Sequence, residues 1–220
     1  PLLEGHAETD KEVRQMASAA AASIVSRLSA HGVKKILPTV LEAMDVHQWR
    51  ARQGAIRLMG SLAMCAPKQL AVCLPEVVPR LAMAVKDSHP KVKHSGAKAL
   101  EKIAAVVRNP EVSSVVPTLL AAYSEPTKCT EAALDALMTT SFVHRIDAPS
   151  LALIIPVVLR GLRTTKTNAR TKSARIMGSL CTLASPSDLL PYMEHVMEEL
   201  RDTVSDSSPA VRSVVAHAIG

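Results

Sequence analysis

The chain has 220 residues, of which 48% are apolar and only 2% aromatic, and its 26 Lys and Arg against 20 Asp and Glu give a net charge of +6. This composition excludes a collagenous or low-complexity chain, and the shortage of aromatic and Thr-rich alternating runs argues against a β-sandwich or barrel. The modest basic excess permits an anionic partner without requiring one. Ala-rich stretches such as residues 17–22 favour helix, so the sequence predicts an all-α fold.

The predicted helices follow a repeat of about forty residues along the chain. A small residue or Val followed by Arg or Lys recurs at 13–14, 51–52, 92–93, 169–170 and 211–212, with a degenerate copy near 129–130 where the cation is missing. Ahead of most copies a proline leads an apolar helix, and we expect it in the first turn, where a missing N–H costs little. These prolines are Pro38, Pro79, Pro117 and Pro156. Each unit is therefore predicted to be helix, turn, helix.

The second helix of a unit is predicted to begin at a turn with the pattern Asp-x-x-Pro-x-Val followed by Arg or Lys. Clear copies occupy residues 87–93 and 206–212. We expect the Pro to open the helix, the Asp to cap free N–H groups and the Val to point inward. The residues concerned are Pro90 and Pro209, Asp87 and Asp206, and Val92 and Val211.

A second duplicated segment, Arg-(Leu or Ile)-Met-Gly-Ser-Leu, occupies residues 57–62 and again 175–180. Its glycines, Gly60 and Gly178, together with Gly96, are expected to let neighbouring helices approach closely. The period and the turn are typical of HEAT repeats. We predict an armadillo-like α-solenoid of about five and a half helical hairpins without a deep central cavity. Residues 1–220 are interpreted as a single HEAT-repeat segment, a slice of a longer protein.

No motif for catalysis or for a bound cofactor occurs in the sequence. The G-x-S-x-G, Walker A, G-x-G-x-x-G and H-E-x-x-H patterns are missing, and the four Cys and eight His lack the close spacing that zinc needs. The longest nearly uncharged apolar run, residues 148–159, is shorter than the roughly twenty residues of a membrane span. We predict a protein that is not an enzyme, holds no cofactor or metal, has no membrane segment and works in a reducing compartment.

Charge is unevenly distributed along the sequence. No acid occurs from 46 to 75 or from 148 to 187, whereas acids crowd the final unit, so we predict one basic section and one acidic end. The turn cations at 14, 52, 93, 170 and 212 are expected in a row that suits a phosphate backbone or an acidic protein surface. Alternatively, they pair with the Asp of the same or an adjacent turn, as Asp87 with Lys93 and Asp206 with Arg212. Candidate contacts with an anionic partner are Arg52, Lys93, Arg160, Arg163, Lys166, Arg170, Lys172 and Arg175.

Aromatic side chains are limited to one Trp, two Tyr and one Phe. Base stacking cannot then be the main mode of any RNA contact, which would be made to phosphates and would be sensitive to salt. Trp49 lies at a turn just before Arg50 and Arg52. Two interpretations of this residue remain open, a plug between two repeats or an anchor that faces a partner.

Several stretches of the sequence resemble one family of large scaffolds. Residues 66–70, 73–75, 87–100 and 108–111, and above all 142–144 with 146–154, are similar to the central HEAT region of the general-control translational activators. This similarity covers roughly residues 49–220. The same region resembles the HEAT domain of fungal translation elongation factor three, which also carries ATP-binding cassettes. The stretch 147–153 favours the activators.

The resemblance implies a non-enzymatic, cytoplasmic scaffold that works on translating ribosomes in the amino-acid starvation response. Its implied partners are the ribosome, through ribosomal RNA phosphates or a ribosomal protein, and a cassette ATPase. A sensor kinase that phosphorylates an initiation factor is expected to bind outside this segment. Two alternatives remain, namely the HEAT arm of an elongation factor three type ATPase, and a transport or phosphatase scaffold with the same repeat.

Overall fold

A computed structural model of the protein describes Gly5 and residues 8–219. Within those residues the chain forms helices and no strand, apart from one isolated parallel bridge between Ile146 and Ala184. The all-α prediction is therefore confirmed. In chain order the helices are α1 (Lys11–Val25), α2 (Ala30–Asp45), α3 (Trp49–Cys65), α4 (Pro67–Ala71), α5 (Leu74–Ala84), α6 (Pro90–Ala104), α7 (Pro110–Ser124), α8 (Pro126–Thr139), α9 (Ala148–Leu162), α10 (Thr167–Leu183), α11 (Pro186–Val204) and α12 (Pro209–Ile219).

The long helices form the predicted hairpins. The pairs are α2–α3, α5–α6, α7–α8, α9–α10 and α11–α12, and α1 is the second helix of the unit before them. The short helix α4 lies in the connection between α3 and α5. In the part of the chain that the structure describes, the prediction of about five and a half HEAT hairpins is confirmed.

The chain consists of two compact units, residues 1–106 (unit 1) and residues 107–220 (unit 2). In unit 1 the second helices pack side by side, with α3 against both α1 and α6, and the first helices α2 and α5 contact each other. In unit 2, α10 packs against α8 and α12, and α9 packs against α7 and α11. Each unit therefore consists of a layer of first helices and a layer of second helices. The assignment of residues 1–220 to a single domain stays a prediction.

The repeated prolines of the first helices lie inside those helices, and the prediction that they occupy the first turn is wrong. The interior prolines are Pro38, Pro79, Pro117 and Pro156, and Pro191 of α11 follows the same rule. Other prolines open four of these helices, namely Pro75, Pro110, Pro149 and Pro186. An interior Pro removes one backbone N–H and bends a helix. The helix continues through Pro156 because Ile155 and Val157 on either side are fully buried.

The turn before the second helix has the predicted construction. Helices α6 and α12 begin at the turn prolines, and Val92 and Val211 are fully buried. Asp87 accepts the backbone N–H of His89 at 2.7 Å, and Asp206 accepts that of Ser208 at 2.8 Å. Each Asp side chain therefore accepts a hydrogen bond from the backbone of its own turn.

The predicted close approach of helices is confirmed at Gly60 and Gly96 but not at Gly178. A methyl group on Gly60 would lie 3.3 Å from Ala99, and one on Gly96 would lie 3.0 Å from the backbone at the end of α5. A methyl group on Gly178 would lie at an ordinary 3.4 Å from Ala218. The contact at Gly60 lets α3 meet α6 at short distance.

Residues 140–147 join α8 to α9 and are held by two buried or partly buried polar side chains. Asn109, the N-cap of α7, is buried and donates from Nδ2 to the carbonyl oxygens of His144 at 3.4 Å and Arg145 at 3.2 Å. Asp147, the N-cap of α9, accepts the backbone N–H of Arg108 at 2.8 Å. Two stretches that carry the family resemblance, 108–111 and 146–154, therefore support each other in space.

Candidate interaction surfaces

The turn arginines bond mainly to the protein itself. Arg52 donates from Nη1 to the carbonyl oxygens of residues 46 and 47 at 3.0 and 2.6 Å, and forms a two-pronged pair with Asp87, 3.0 Å from Nε and 3.1 Å from Nη2. Arg170 repeats this arrangement with the carbonyl oxygens of residues 164 and 165 and with Asp206, 3.2 Å from Nη2. The two arginine side chains are only 18% and 16% exposed. Both arginines therefore join one repeat to the next.

The same pattern holds at the two ends of the described chain. Arg14 donates to the carbonyl oxygens of residues 8 and 9, and Arg212 to those of residues 206 and 207. The prediction that a turn cation pairs with an Asp of the same or an adjacent turn is confirmed, but the partners differ from those named. Asp87 pairs with Arg52 rather than with Lys93, and Asp206 pairs with Arg170 rather than with Arg212. Lys93 is exposed and has no ion pair within the described residues.

The Asp87 carboxyl group shows what these pairs do electrostatically. Burial raises its pKa, but the His89 N–H and the Arg52 guanidinium outweigh that effect and hold the pKa below its ordinary value. Asp87 therefore stays charged and bonded in the folded chain.

The predicted basic section in residues 160–175 is not a surface of unpaired charge. Three of its cations lie against acids from other repeats, and the pairs are Arg163 with Glu199 at 2.6 Å, Lys166 with Glu131 at 2.6 Å and Lys172 with Asp135. Arg160 turns inward and donates to the Ala122 carbonyl oxygen at 2.7 Å, and burial lowers its pKa. Arg175 is exposed and has no ion pair within the described ranges. An acid-free stretch of sequence is thus neutralised by acids 35 to 37 residues away.

Unpaired cations gather instead on the second helices of unit 1, in a groove whose floor is α3 and whose walls are α1 and α6. Two adjoining cavities of about 630 and 480 Å³ form this unit 1 groove, and both are lined by Ser18, Gln53 and Arg57. Among the residues that the structure describes, no acidic side chain lines either cavity. The other basic side chains along it are Lys11, Arg14, Arg50, Lys91, His94, Lys98 and Lys102.

Ion pairing distinguishes this groove from the predicted section. Its Lys and Arg side chains have no ion pair with any residue that the structure describes, and Arg14 donates to backbone carbonyl oxygens instead. Sequence reasoning missed them, although a signal was present: residues 91, 94, 98 and 102 follow helical spacing on one face of α6. Together with the acid-free stretch 46–75 on the facing helix, that spacing predicts a basic groove.

Trp49 lies at the mouth of the unit 1 groove. Its ring stacks on His89 of the next repeat, with centroids 3.8 Å apart and planes inclined by 11°. The guanidinium of Arg50 lies 4.7 Å and the ammonium of Lys91 5.3 Å from the centre of the ring. Trp49 therefore bridges two repeats, as one interpretation predicted, while its half-buried side chain still lines the groove.

Unit 2 has a groove in the equivalent place, with α10 as its floor and α8 and α12 as its walls. This unit 2 groove encloses about 810 Å³, and the charged or titratable side chains among its described lining are Arg175, His217 and Cys181. Much of the rest of the lining is apolar, and its large side chains are Leu137, Met138, Phe142, Leu183, Val214 and Ile219.

The two floors are the duplicated segment, residues 57–62 in α3 and 175–180 in α10. Walls at equivalent positions differ: Ser95 and Lys98 of α6 correspond to Val214 and His217 of α12, on the register that aligns Val92 with Val211. One repeat therefore builds a basic groove in unit 1 and an apolar groove in unit 2.

Neither groove offers a metal centre. In the described residues no group of three or more His, Cys, Asp or Glu side chains could hold a metal ion. The helices of that same portion of the chain include none long and apolar enough to cross a bilayer.

Comparison with known proteins places both units in one family. The chain matches the family model of the elongation factor 3 N-terminal HEAT repeat over residues 1–100, and that of the elongation factor 3/GNC1 HEAT repeat over residues 128–220. It is 43% identical over 219 residues to Stalled ribosome sensor GCN1 of Homo sapiens and 40% identical over 219 residues to eIF-2-alpha kinase activator GCN1 of Dictyostelium discoideum. It is 29% identical over 222 residues to Elongation factor 3 of Gonapodya prolifera.

These alignments cover 100% of the chain for the two GCN1 proteins and 99% for the elongation factor. The chain spans only 8% of the length of each GCN1 protein and 20% of that of the elongation factor. The similarity predicted for residues 49–220 therefore extends to the residues before them.

Proposed function

Because the chain belongs to the HEAT-repeat family that the GCN1 translational activators share with elongation factor 3, we propose that it is a non-enzymatic, ribosome-associated scaffold segment of a translational-control protein. Its role is to present surface to the translation machinery in the cytoplasm. The names of the GCN1 relatives, a stalled ribosome sensor and an eIF-2-alpha kinase activator, support this direction. The higher identity to GCN1, 43% against 29%, favours it over the arm of an elongation factor.

The observation that carries the proposal is the unit 1 groove with its unpaired cations. RNA presents a regular line of phosphate charges, and cations that meet phosphates release counterions and so gain affinity. In unit 1 these cations have no competing carboxylate among the described residues that line the groove. Ribosomal RNA phosphates are therefore the proposed partner of this groove, with affinity that falls as salt rises.

The proposal also includes two partners of the whole protein, for which we name no contact residues in this segment. We propose that a cassette ATPase partner contacts another face, and that the starvation-responsive kinase binds outside this segment. The contact set predicted from the sequence stays a prediction. Within it, Arg52, Arg160 and Arg170 are committed to bonds inside the protein, whereas Lys93 and Arg175 remain exposed.

Charge reversal in the unit 1 groove tests the proposal. The variant Arg57→Glu/Lys98→Glu/Lys102→Glu should lower co-sedimentation of the full chain with purified ribosomes by about tenfold or more at low salt. All three side chains are exposed, so the fold should persist, which a melting curve checks.

A matched control carries the same charge change elsewhere in unit 1. Lys34, Lys35 and Lys68 are exposed and line neither cavity of the groove. Their triple replacement by Glu should leave co-sedimentation close to that of the wild type. Equal losses in both variants, or no loss in the groove variant, would count against RNA contact at this groove.

A further inference from the structure

The unit 2 groove is an apolar surface that unit 2 itself leaves partly uncovered. Met138 on one wall is 38% exposed and Ile219 on the other is 44% exposed, and Phe142 beside them is half-buried. The equivalent walls of unit 1 carry small and polar or basic side chains, among them Ser18, Ser95 and Lys98. Apolar lining in this position is therefore not a requirement of the repeat.

From these walls we infer that the unit 2 groove binds an amphipathic helix of a partner protein, whose apolar side chains enter the groove and whose carboxylates face Arg175. Helices that dock in grooves present apolar anchors at positions i, i+3 or i+4, and i+7. The floor residues of the groove run from 174 to 183, and ten residues of helix measure about 15 Å. That length matches nearly three turns of a docked helix, which is enough for three anchors.

The charge of the unit 2 groove indicates the charge of its partner. Among the described residues that line the unit 2 groove none is acidic, and Arg175 is the one with a permanent charge. Arg175 is exposed and has no ion pair within the residues that the structure describes. An acidic residue of the partner gains a pairing there, whereas a basic one meets repulsion. A single Arg between apolar walls does not suit a polyphosphate, so this surface differs in partner class from the unit 1 groove.

This inference does not depend on ribosome association. The first experiment selects 16-residue helical peptides from a displayed library on the full chain, with counter-selection on the variant Met138→Glu. We expect selected peptides to share large apolar residues at helical spacing flanked by Asp or Glu. A set of survivors that is basic, or that lacks apolar spacing, overturns the inference, as does the absence of any survivor.

Binding of one selected peptide is then measured by fluorescence anisotropy. Met138→Glu should weaken it at least tenfold, and Arg175→Glu at least fivefold. A peptide with its acids changed to Lys should bind Arg175→Glu more tightly than it binds the wild type. Such a reversal of preference is not expected from a change in folding alone.

Two control variants lie in unit 2 outside the groove. Leu190, which is 73% exposed on α11, and Arg201 on the same helix do not line it. Leu190→Glu and Arg201→Glu should bind the peptide like the wild type. If the wild type instead self-associates in sedimentation equilibrium and Met138→Glu abolishes that association, a second copy of the chain occupies the groove and the inference fails.

Discussion

Among the described glycines of unit 2, Gly161 leaves the least room for a side chain, and sequence reasoning did not predict a close helix contact there. A methyl group at this position would overlap the Oγ atom of Ser173 and would lie 2.9 Å from Cδ1 of Leu134. Ser173 is fully buried, and its hydroxyl finds no hydrogen-bond partner among the described residues. Gly161 and Ser173 are therefore packed against each other where α9 meets α10, and the Ser173 hydroxyl occupies the space that a side chain at residue 161 would need.

The structure sets the size of each effect. Gly161→Ala gains about 1 kcal/mol of helix propensity but forces a clash that typically costs about 1–3 kcal/mol, so we expect a net loss. Ser173→Ala removes an unpartnered buried hydroxyl and should stabilise the protein by about 1 kcal/mol. In the double variant the nearest fixed atom to the new methyl group is the Cβ of residue 173, at 3.4 Å, and only the flexible end of Leu134 must move.

A double-mutant cycle in urea measures this coupling. The double variant should be more stable than the sum of the single changes by about 2 kcal/mol, which corresponds to about 4–8 °C in melting temperature for a chain of this size. Additivity within about 0.5 kcal/mol would show that the hydroxyl is not what excludes the methyl group, and the packing argument would then be wrong.

Three further outcomes are expected. Gly178→Ala should be neutral or slightly stabilising in a thermal melt, because its methyl group would meet Ala218 at an ordinary 3.4 Å; a loss as large as that of Gly161→Ala would contradict this. The pKa of Asp87 is held below its ordinary value of 3.8, so its pair with Arg52 stabilises the fold fully above that value and is lost as pH falls through the lower folded pKa. Asp87→Asn should therefore lower the unfolding free energy measured in urea at pH 7 by about 1–3 kcal/mol. The gap to wild type should close only as pH falls below 3.8, and a gap that does not depend on pH would refute the sign. Asn109→Ala should cost about 2–3 kcal/mol because a helix cap and two loop bonds are lost, and Asn109→Asp, which keeps only the cap, should recover part of that loss in the same assay.

The repeat could be read from the sequence because each of its parts is local. A turn of seven residues determines where a second helix begins, and burial of Val92 and Val211 follows from that turn alone. The starting points of the first helices were harder to predict from the sequence. Each of four of these helices contains two prolines. The pattern predicts the second proline, such as Pro156, in the first turn, although the helix begins at the first proline or one residue before it, as at Ala148.

The candidate surfaces required contacts that a linear charge map does not contain. Lys166 belongs to an acid-free stretch of sequence, yet Glu131, from the repeat before, lies 2.6 Å away. Conversely, Arg57 and Lys98 are far apart in sequence and line one groove. In a stack of hairpins the partner of a side chain lies about one period away, so charge has to be compared between repeats rather than along the chain.

The turn arginines show how a repeat can mislead functional interpretation. Arg52 and Arg170 each bond to two carbonyl oxygens of their own turn and to an Asp one repeat later. A residue that is required to join repeats is to be expected wherever the repeat occurs, whatever the segment binds. Information about partners therefore lies at positions where equivalent residues differ, such as Lys98 and His217 on the groove walls. By that criterion the duplicated floors build the two grooves, and the unequal walls are the basis on which we propose phosphates as the partner of unit 1 and an apolar, acidic helix as the partner of unit 2.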